Sequence, residues 1–121
     1  MDETGERMPV SNEQKILLDN LRRAVKEKVA PVAAEADRTG SFNPEIASLF
    51  WDLGLLQIML PEEYGGWPQE PSFTLCLAIE EIAKACAASA LLLIIQAVGS
   101  YPLIFAGNEA QKKKYFPLLS E

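Results

Sequence analysis

The chain has 121 residues, 49% hydrophobic and 23% charged, which is enough apolar material for one packed core rather than a disordered tail. Lys and Arg number 11 against 17 Asp and Glu, and the formal charge of −6 argues against the basic face that nucleic-acid binding needs. No histidine is present, so Ser-His and Cys-His nucleophile pairs, imidazole metal ligands and imidazole pH switching are excluded together.

Residues 1–10 read as a disordered lead-in. Their acidic start lacks the basic and apolar regions of a signal peptide, so a cytoplasmic location is expected. Ser11-Asn12-Glu13-Gln14 fits a capping box, in which Ser11 caps the N3 amide and Gln14 reaches back. Leu18, Leu21, Val25, Val29, Val32 and Ala36 then recur at steps of 3, 4, 4, 3 and 4, one apolar stripe of a helix. Pro31 lacks an amide hydrogen and crowds the carbonyl of Glu27, which predicts a kink near Ala30 or two helices end to end. Residues 38–42 read as a loop. Asn43-Pro44-Glu45 is a strong helix start, with Ile46, Leu49, Phe50 and Leu53 inward and Gly54 as the stop. Residues 55–60 form an apolar run without periodicity, either a buried strand-like segment or an irregular one.

Pro61 to Pro71 is a turn cluster. Ser72 is a plausible cap for one long helix reaching about Gly99, with Glu80 and Lys84 paired on its surface. Its second half, Ala85 to Ile95, is apolar on every side. With the residues to Gly99 this tract reaches only 15 positions, short of the roughly 20 that a membrane span needs, so a buried central helix is expected and no membrane span. Helix continues from Tyr101 to Ala106 and stops at Gly107. Asn108 caps a last helix, with Gln111 in the capping-box position, Glu109 paired with Lys113 and Pro117 near the end. The fold class is all-α, a bundle of about five to six helices around a buried central helix.

Few residues suggest chemistry. Glu62-Glu63 and Glu80-Glu81 are adjacent carboxylates that diverge, whereas an acid/base pair must converge across a cleft. Gly65-Gly66 lacks the pattern and the strand-to-helix setting of a phosphate loop. Lys112-Lys113-Lys114 fits the wet side of a short helix. On one shared helix Cys76 and Cys86 would lie about 15 Å apart, too far for a disulfide, and inert buried thiols in a reducing compartment are expected. Leu91 to Ile95 fits a core or the wall of an acyl pocket.

A series of motifs in order carries a resemblance. Leu53-Gly54-Leu55-Leu56, Pro61-Glu62-Glu63-Tyr64-Gly65-Gly66, Ala78-Ile79-Glu80-Glu81-Ile82-Ala83 and Phe105-Ala106-Gly107-Asn108-Glu109-Ala110-Gln111-Lys112-Lys113-Lys114-Tyr115 resemble the N-terminal helical domain of the FAD-dependent acyl-CoA dehydrogenases. Ala30-Pro31 and Asp37-Arg38 fit as well, and the match covers residues 11–121. The resemblance implies an oxidoreductase of fatty acid metabolism that removes hydrogens from the α and β carbons of an acyl-CoA. FAD takes the hydride, and an electron-transfer flavoprotein reoxidises it. The family's β-domain and C-terminal helical bundle are absent from these 121 residues, and with them the flavin site and catalytic base. The resemblance therefore gives no residue here a catalytic, cofactor-binding or metal-binding role, and the chain alone is expected to be inactive.

For substrate binding the resemblance points to Ala90, Ile94 and Val98, one row of the long helix that would line the acyl tail. The same residues also fit a plain core. The branched Ile94 and Val98 would favour a short, branched or cyclic acyl group over a long chain. Apolar surface left uncovered without the other domains predicts self-association of the chain. Two other readings stand beside this one. An acyl-CoA oxidase or flavin monooxygenase would use the same domain, and a free-standing helical interaction module would explain an apolar helix without the motifs.

Overall fold

The computed structural model describes residues 9–41 and 43–120. Positions 1–8 of the expected lead-in, Phe42 of the expected loop and Glu121 lie outside them. All regular structure among the described residues is helical.

Helix α1 (Asn12–Ala24) begins with the expected capping box: Ser11 Oγ accepts from the Gln14 amide at 3.1 Å, and Gln14 Oε1 accepts from the Ser11 amide at 2.9 Å. The rest of the Gln14 side chain is buried, where its Nε2 donates to Thr74 Oγ1 at 2.9 Å and ties α1 to a helix 60 residues away. Helix continues through one π turn (Val25–Val29), closed by the Ala30 amide donating to the Val25 carbonyl, into α2 (Ala30–Thr39). The expected disturbance at Pro31 therefore takes the form of a wide turn. Extra room along the helix relieves the crowding between a proline ring and the carbonyl four residues back. Val25 and Val29 stay buried through it, so the stripe keeps its face. Gly40, at φ 62°, ends the helix.

Helix α3 (Pro44–Asp52) starts on Asn43, whose Oδ1 accepts from the Glu45 amide at 2.9 Å. Ile46 and Phe50 are buried on its inner face, with Leu49 and Leu53 packed beside them. Residues 55–60 take the irregular of the two expected forms, a set of turns that buries Leu55, Ile58 and Leu60. The diglycine after it is structural. Gly65 sits at φ 85°, while the Gly66 amide donates to the Pro61 carbonyl at 3.2 Å and the next amide, Trp67, to the Ile58 carbonyl at 3.0 Å. A Cβ on Gly66 would run into the Leu60 carbonyl.

The expected long helix from Ser72 to Gly99 is two helices, α4 (Pro71–Ala83) and α5 (Ala87–Ala106). Ser72 is not the cap; Glu70 precedes Pro71 at the first helical position and stands at φ 47°. The break comes at Cys86, whose backbone is extended (φ −155°, ψ 103°) and whose Sγ accepts from the Ser89 amide at 3.4 Å. Cys76 and Cys86 therefore lie on different elements, which removes the single-helix argument for their separation. Both are free, and Cys76 is exposed rather than buried because it falls on the outer side of α4. Helix α5 is 20 residues long, about 30 Å, so the apolar tract outruns the 15 positions counted above. By length and composition it could cross a membrane, yet Ala90, Leu93 and Ala97 join the core packed against α4. All-round burial is met on that face only.

Helix α6 (Glu109–Ser120) starts with the reciprocal Asn108–Gln111 bonds, both 2.9 Å. The Glu109 partner is Lys112, at 3.6 Å, rather than the expected Lys113; both spacings bring side chains together on a helix, and the i,i+3 pair is the one formed. Phe116 is buried and its ring lies 5.2 Å from that of Tyr64, pinning α6 to the 61–66 turn.

One ion-pair cluster joins α1 to α4. Glu81 Oε1 accepts from Arg22 at 2.8 Å and from Lys84 at 2.9 Å, and Lys84 also reaches Glu80 at 3.4 Å. The Arg22 hydrogen bond holds the Glu81 carboxyl below the ordinary glutamate range, against the opposing effect of burial. A depressed folded-state value gives stability that is complete above the unfolded pKa and is lost as pH falls through the folded one. Glu81→Gln should therefore lower the thermal midpoint at pH 7, and the gap to the parent should close as the pH drops below about 4. Midpoints read by circular dichroism across pH 3–7 check this; a gap that persists at pH 3 would count against it. Gly66→Ala should cost roughly 2–4 kcal/mol, since the neighbour it meets is backbone and cannot rotate away. Urea unfolding of the two proteins measures the difference.

Candidate functional site

The three residues singled out for substrate contact lie on one row of α5 but in three environments. Ala90 is 2% exposed and belongs to the core, Ile94 is 37% exposed and Val98 is 59% exposed. Helix geometry explains the gradient. Four residues advance about 400°, so each step of four drifts about 40° around the axis and the row winds from the core to the surface. The structure thus leaves Ile94 and Val98 open to a ligand or another chain and places Ala90 behind them, against α4.

Around Ile94 and Val98 runs a longer apolar face that periodicity did not isolate. Leu91, Ile95, Pro102 and Phe105 are exposed beside them, Phe105 most of all at 79%. The spacing was in the sequence: 91, 94, 95, 98, 102 and 105 fall at helical steps of three and four. It was masked because the opposite face, Ala90, Leu93 and Ala97, is apolar too, so no polar side marked where solvent begins. A contiguous exposed apolar strip of this kind marks a binding or interface surface.

Two grooves border α5 at its C-terminal end. One of about 530 Å³, between α5 and α6, is lined mainly by Gly99, Pro102, Leu103, Ala106, Tyr115 and Leu118. The other, of about 470 Å³, mixes Tyr64, Ile104 and Phe116 with Glu63, Glu109, Lys112 and Lys113. Neither contains Ala90, Ile94 or Val98.

Acid, metal and nucleophile chemistry finds little footing. Among the described residues, no group of three or more Cys, Asp and Glu is placed to hold a metal ion. Glu80 and Glu81 point to Lys84 and Arg22 as surface ion pairs, and Glu62 and Glu63 are exposed on a single 3₁₀ turn. The carboxylates therefore do not converge. Cys86 serves as a helix cap.

Comparison with known proteins matches the acyl-CoA dehydrogenase N-terminal domain model over residues 11–121. A cyclohexane-1-carbonyl-CoA dehydrogenase of Syntrophus aciditrophicus (strain SB) is 55% identical over 95 residues, which is 78% of this chain and 25% of that protein. The enzyme of the same name from Geobacter metallireducens is 45% identical over 111 residues, 92% of this chain and 29% of its own length. Among solved structures, butyryl-CoA dehydrogenase from Megasphaera elsdenii superimposes with a TM-score of 0.83 at 28% identity, covering 96% of this chain and 31% of that one. The chain thus spans about a quarter to a third of the length of the relatives it matches.

Proposed function

The chain belongs to the acyl-CoA dehydrogenase family as an N-terminal domain, and from that premise we propose that it supplies one wall of the acyl-binding cavity in a complete FAD-dependent enzyme that dehydrogenates an acyl-CoA thioester. The observation that carries the reading is the outward face of α5, where Ile94 and Val98 offer apolar surface that this domain does not use. An acyl tail presents no hydrogen-bonding groups, so a wall of branched aliphatic side chains suits it, and buried apolar contact supplies the affinity.

The acyl group we favour is a compact alicyclic one. Two relatives are named for cyclohexane-1-carbonyl-CoA, and Ile94 with Val98 would close the cavity against a long straight chain. Ala90 acts behind them: it lets α5 lie close on α4 and so sets the depth of the wall.

FAD belongs to this family, but the described residues do not form a seat for it. The diglycine turn is filled by its own backbone at Leu60, leaving no cradle for a phosphate. The one buried side-chain polar atom left without a partner among the described residues is Gln57 Oε1, which is too little to hold a flavin ring. The cofactor and the catalytic base are accordingly assigned to the rest of the enzyme, as is the docking of an electron-transfer flavoprotein. This chain's part is to shape the cavity.

In the complete enzyme, Ile94→Ala and Ile94→Gly should move the preference from a ring toward longer straight acyl groups. The ratio of kcat/KM values for hexanoyl-type and cyclohexane-type substrates should change about 10-fold or more, the scale set by removing three (Ala) or four (Gly) carbons from an apolar wall. Steady-state rates with both substrates test this, and an unchanged ratio in both variants would sink the assignment of Ile94.

A further inference from the structure

Helix α2 is bonded well within itself and fastened weakly to the rest of the domain. Its side-chain bonds are internal: Arg38 pairs with Glu35 at 2.6 Å, and Thr39 Oγ1 donates to the Glu35 carbonyl at 2.8 Å. Helix α1 differs, because its Arg22 reaches across to Glu81 on α4. None of the 10 residues of α2 is buried, and Val32 is the one among them packed against the core cluster. Ala33 and Ala36 face the domain beside it and are small, so the apolar area that holds α2 down is small too. Its main neighbour is the π turn that leads into it, a tie of chain connection rather than of burial.

Both ends of α2 are suited to bending. The π turn Val25–Val29 interrupts the α ladder, and such turns are where long helices kink. At the other end Gly40 stands at φ 62°, and a glycine leaves that conformation for others without steric cost. Beneath α2 lies a crevice of about 90 Å³, whose far wall includes Ile46 of α3, Leu92 of α5 and Cys86. Cys86 is half-buried there, its sulfur engaged in capping α5.

We propose that α2 is a hinged cover, which opens about the π turn and Gly40 while the core stays closed, and so bares the Cys86 reversal between α4 and α5. The inference rests on packing and holds whatever reaction the complete enzyme catalyses. Opening parts only a small apolar contact, the kind of local event whose free energy lies well below that of global unfolding. A detached helix of 10 residues is marginal in water, so the α2 amides exchange while the cover is open.

The test uses the full-length protein and two readouts. In hydrogen exchange followed by mass spectrometry, residues 30–39 should exchange about 10-fold or more faster than residues 12–24 and 71–83, each relative to its unstructured rate. N-ethylmaleimide labelling, read on the same peptides, should be slower at Cys86 than at the exposed Cys76. Val32→Ala should then raise both α2 exchange and Cys86 labelling by about 3- to 10-fold, the scale of losing two partly buried carbons, and leave residues 71–83 and Cys76 unchanged. Protection of residues 30–39 equal to that of α1 in the parent would overturn the inference without any variant. An equal rise across residues 71–83 in Val32→Ala would show global opening and overturn it as well. Faster α2 exchange with unchanged Cys86 labelling would show that α2 opens without covering the reversal, and would reject its role as a cover.

Discussion

Without the reversal at Lys84–Cys86, α4 and α5 would form one apolar rod with nothing to cover either half. The amides of Ala85 and Cys86 both donate to the Ile82 carbonyl, at 3.0 and 2.9 Å, and so close α4. Cys86 then opens α5, its carbonyl accepting from Ala90 at 3.2 Å and its sulfur from Ser89 at 3.4 Å. One residue thus ends one helix and begins the next. The fold back puts Ile82, Ala78 and Leu75 in one core with Ala90, Leu93 and Ala97, and α1, the π turn and α3 close over the same core through Leu21, Val29 and Phe50.

The two faces of α5 divide their work by size. The fully buried residues of the inner face are mostly small, Ala90, Ala97 and Ser100 with one Leu93, while Leu92 and Tyr101 pack at its margin. The outer face holds the large side chains, Leu91, Ile94, Ile95, Val98 and Phe105. A helix that served this domain alone would place its large apolar groups inward and polar ones outward, because buried apolar area is what stabilises packing. The arrangement here suits a helix that faces its own domain on one side and a different partner on the other.

Much of this was legible in the sequence, for local reasons. Helix starts read correctly wherever a side chain caps its own backbone two or three residues on, as at Ser11, Asn43 and Asn108, since that chemistry depends on a few neighbours only. The effect of Pro31 was legible as a disturbance, but its form was not, because a kink and a π turn relieve the same clash. The Cys86 break was hidden: Ala85, Ala87 and Ala88 favour helix, and a cysteine sulfur is a weak acceptor that seldom announces a cap. The candidate row was legible as a row and not as a surface. Its exposure depends on how α5 is rotated over α4, which is decided by the packing of the two helices across the core and not by the local sequence of α5.

That rotation also bears on how the domain would shape a substrate cavity. Ile94 and Val98 lie outside the core cluster, and their position follows from how the inner face of α5 meets α4. Ala90 has no room to grow without pushing α5 outward, and Thr74, held by Gln14, fixes where α4 lies against α1. Close packing transmits such displacements rather than absorbing them. On the proposed reading, specificity at the outer face would be set partly by residues that no ligand touches, and a change in the core between α1, α4 and α5 would reach the acyl wall as a shift of the whole helix.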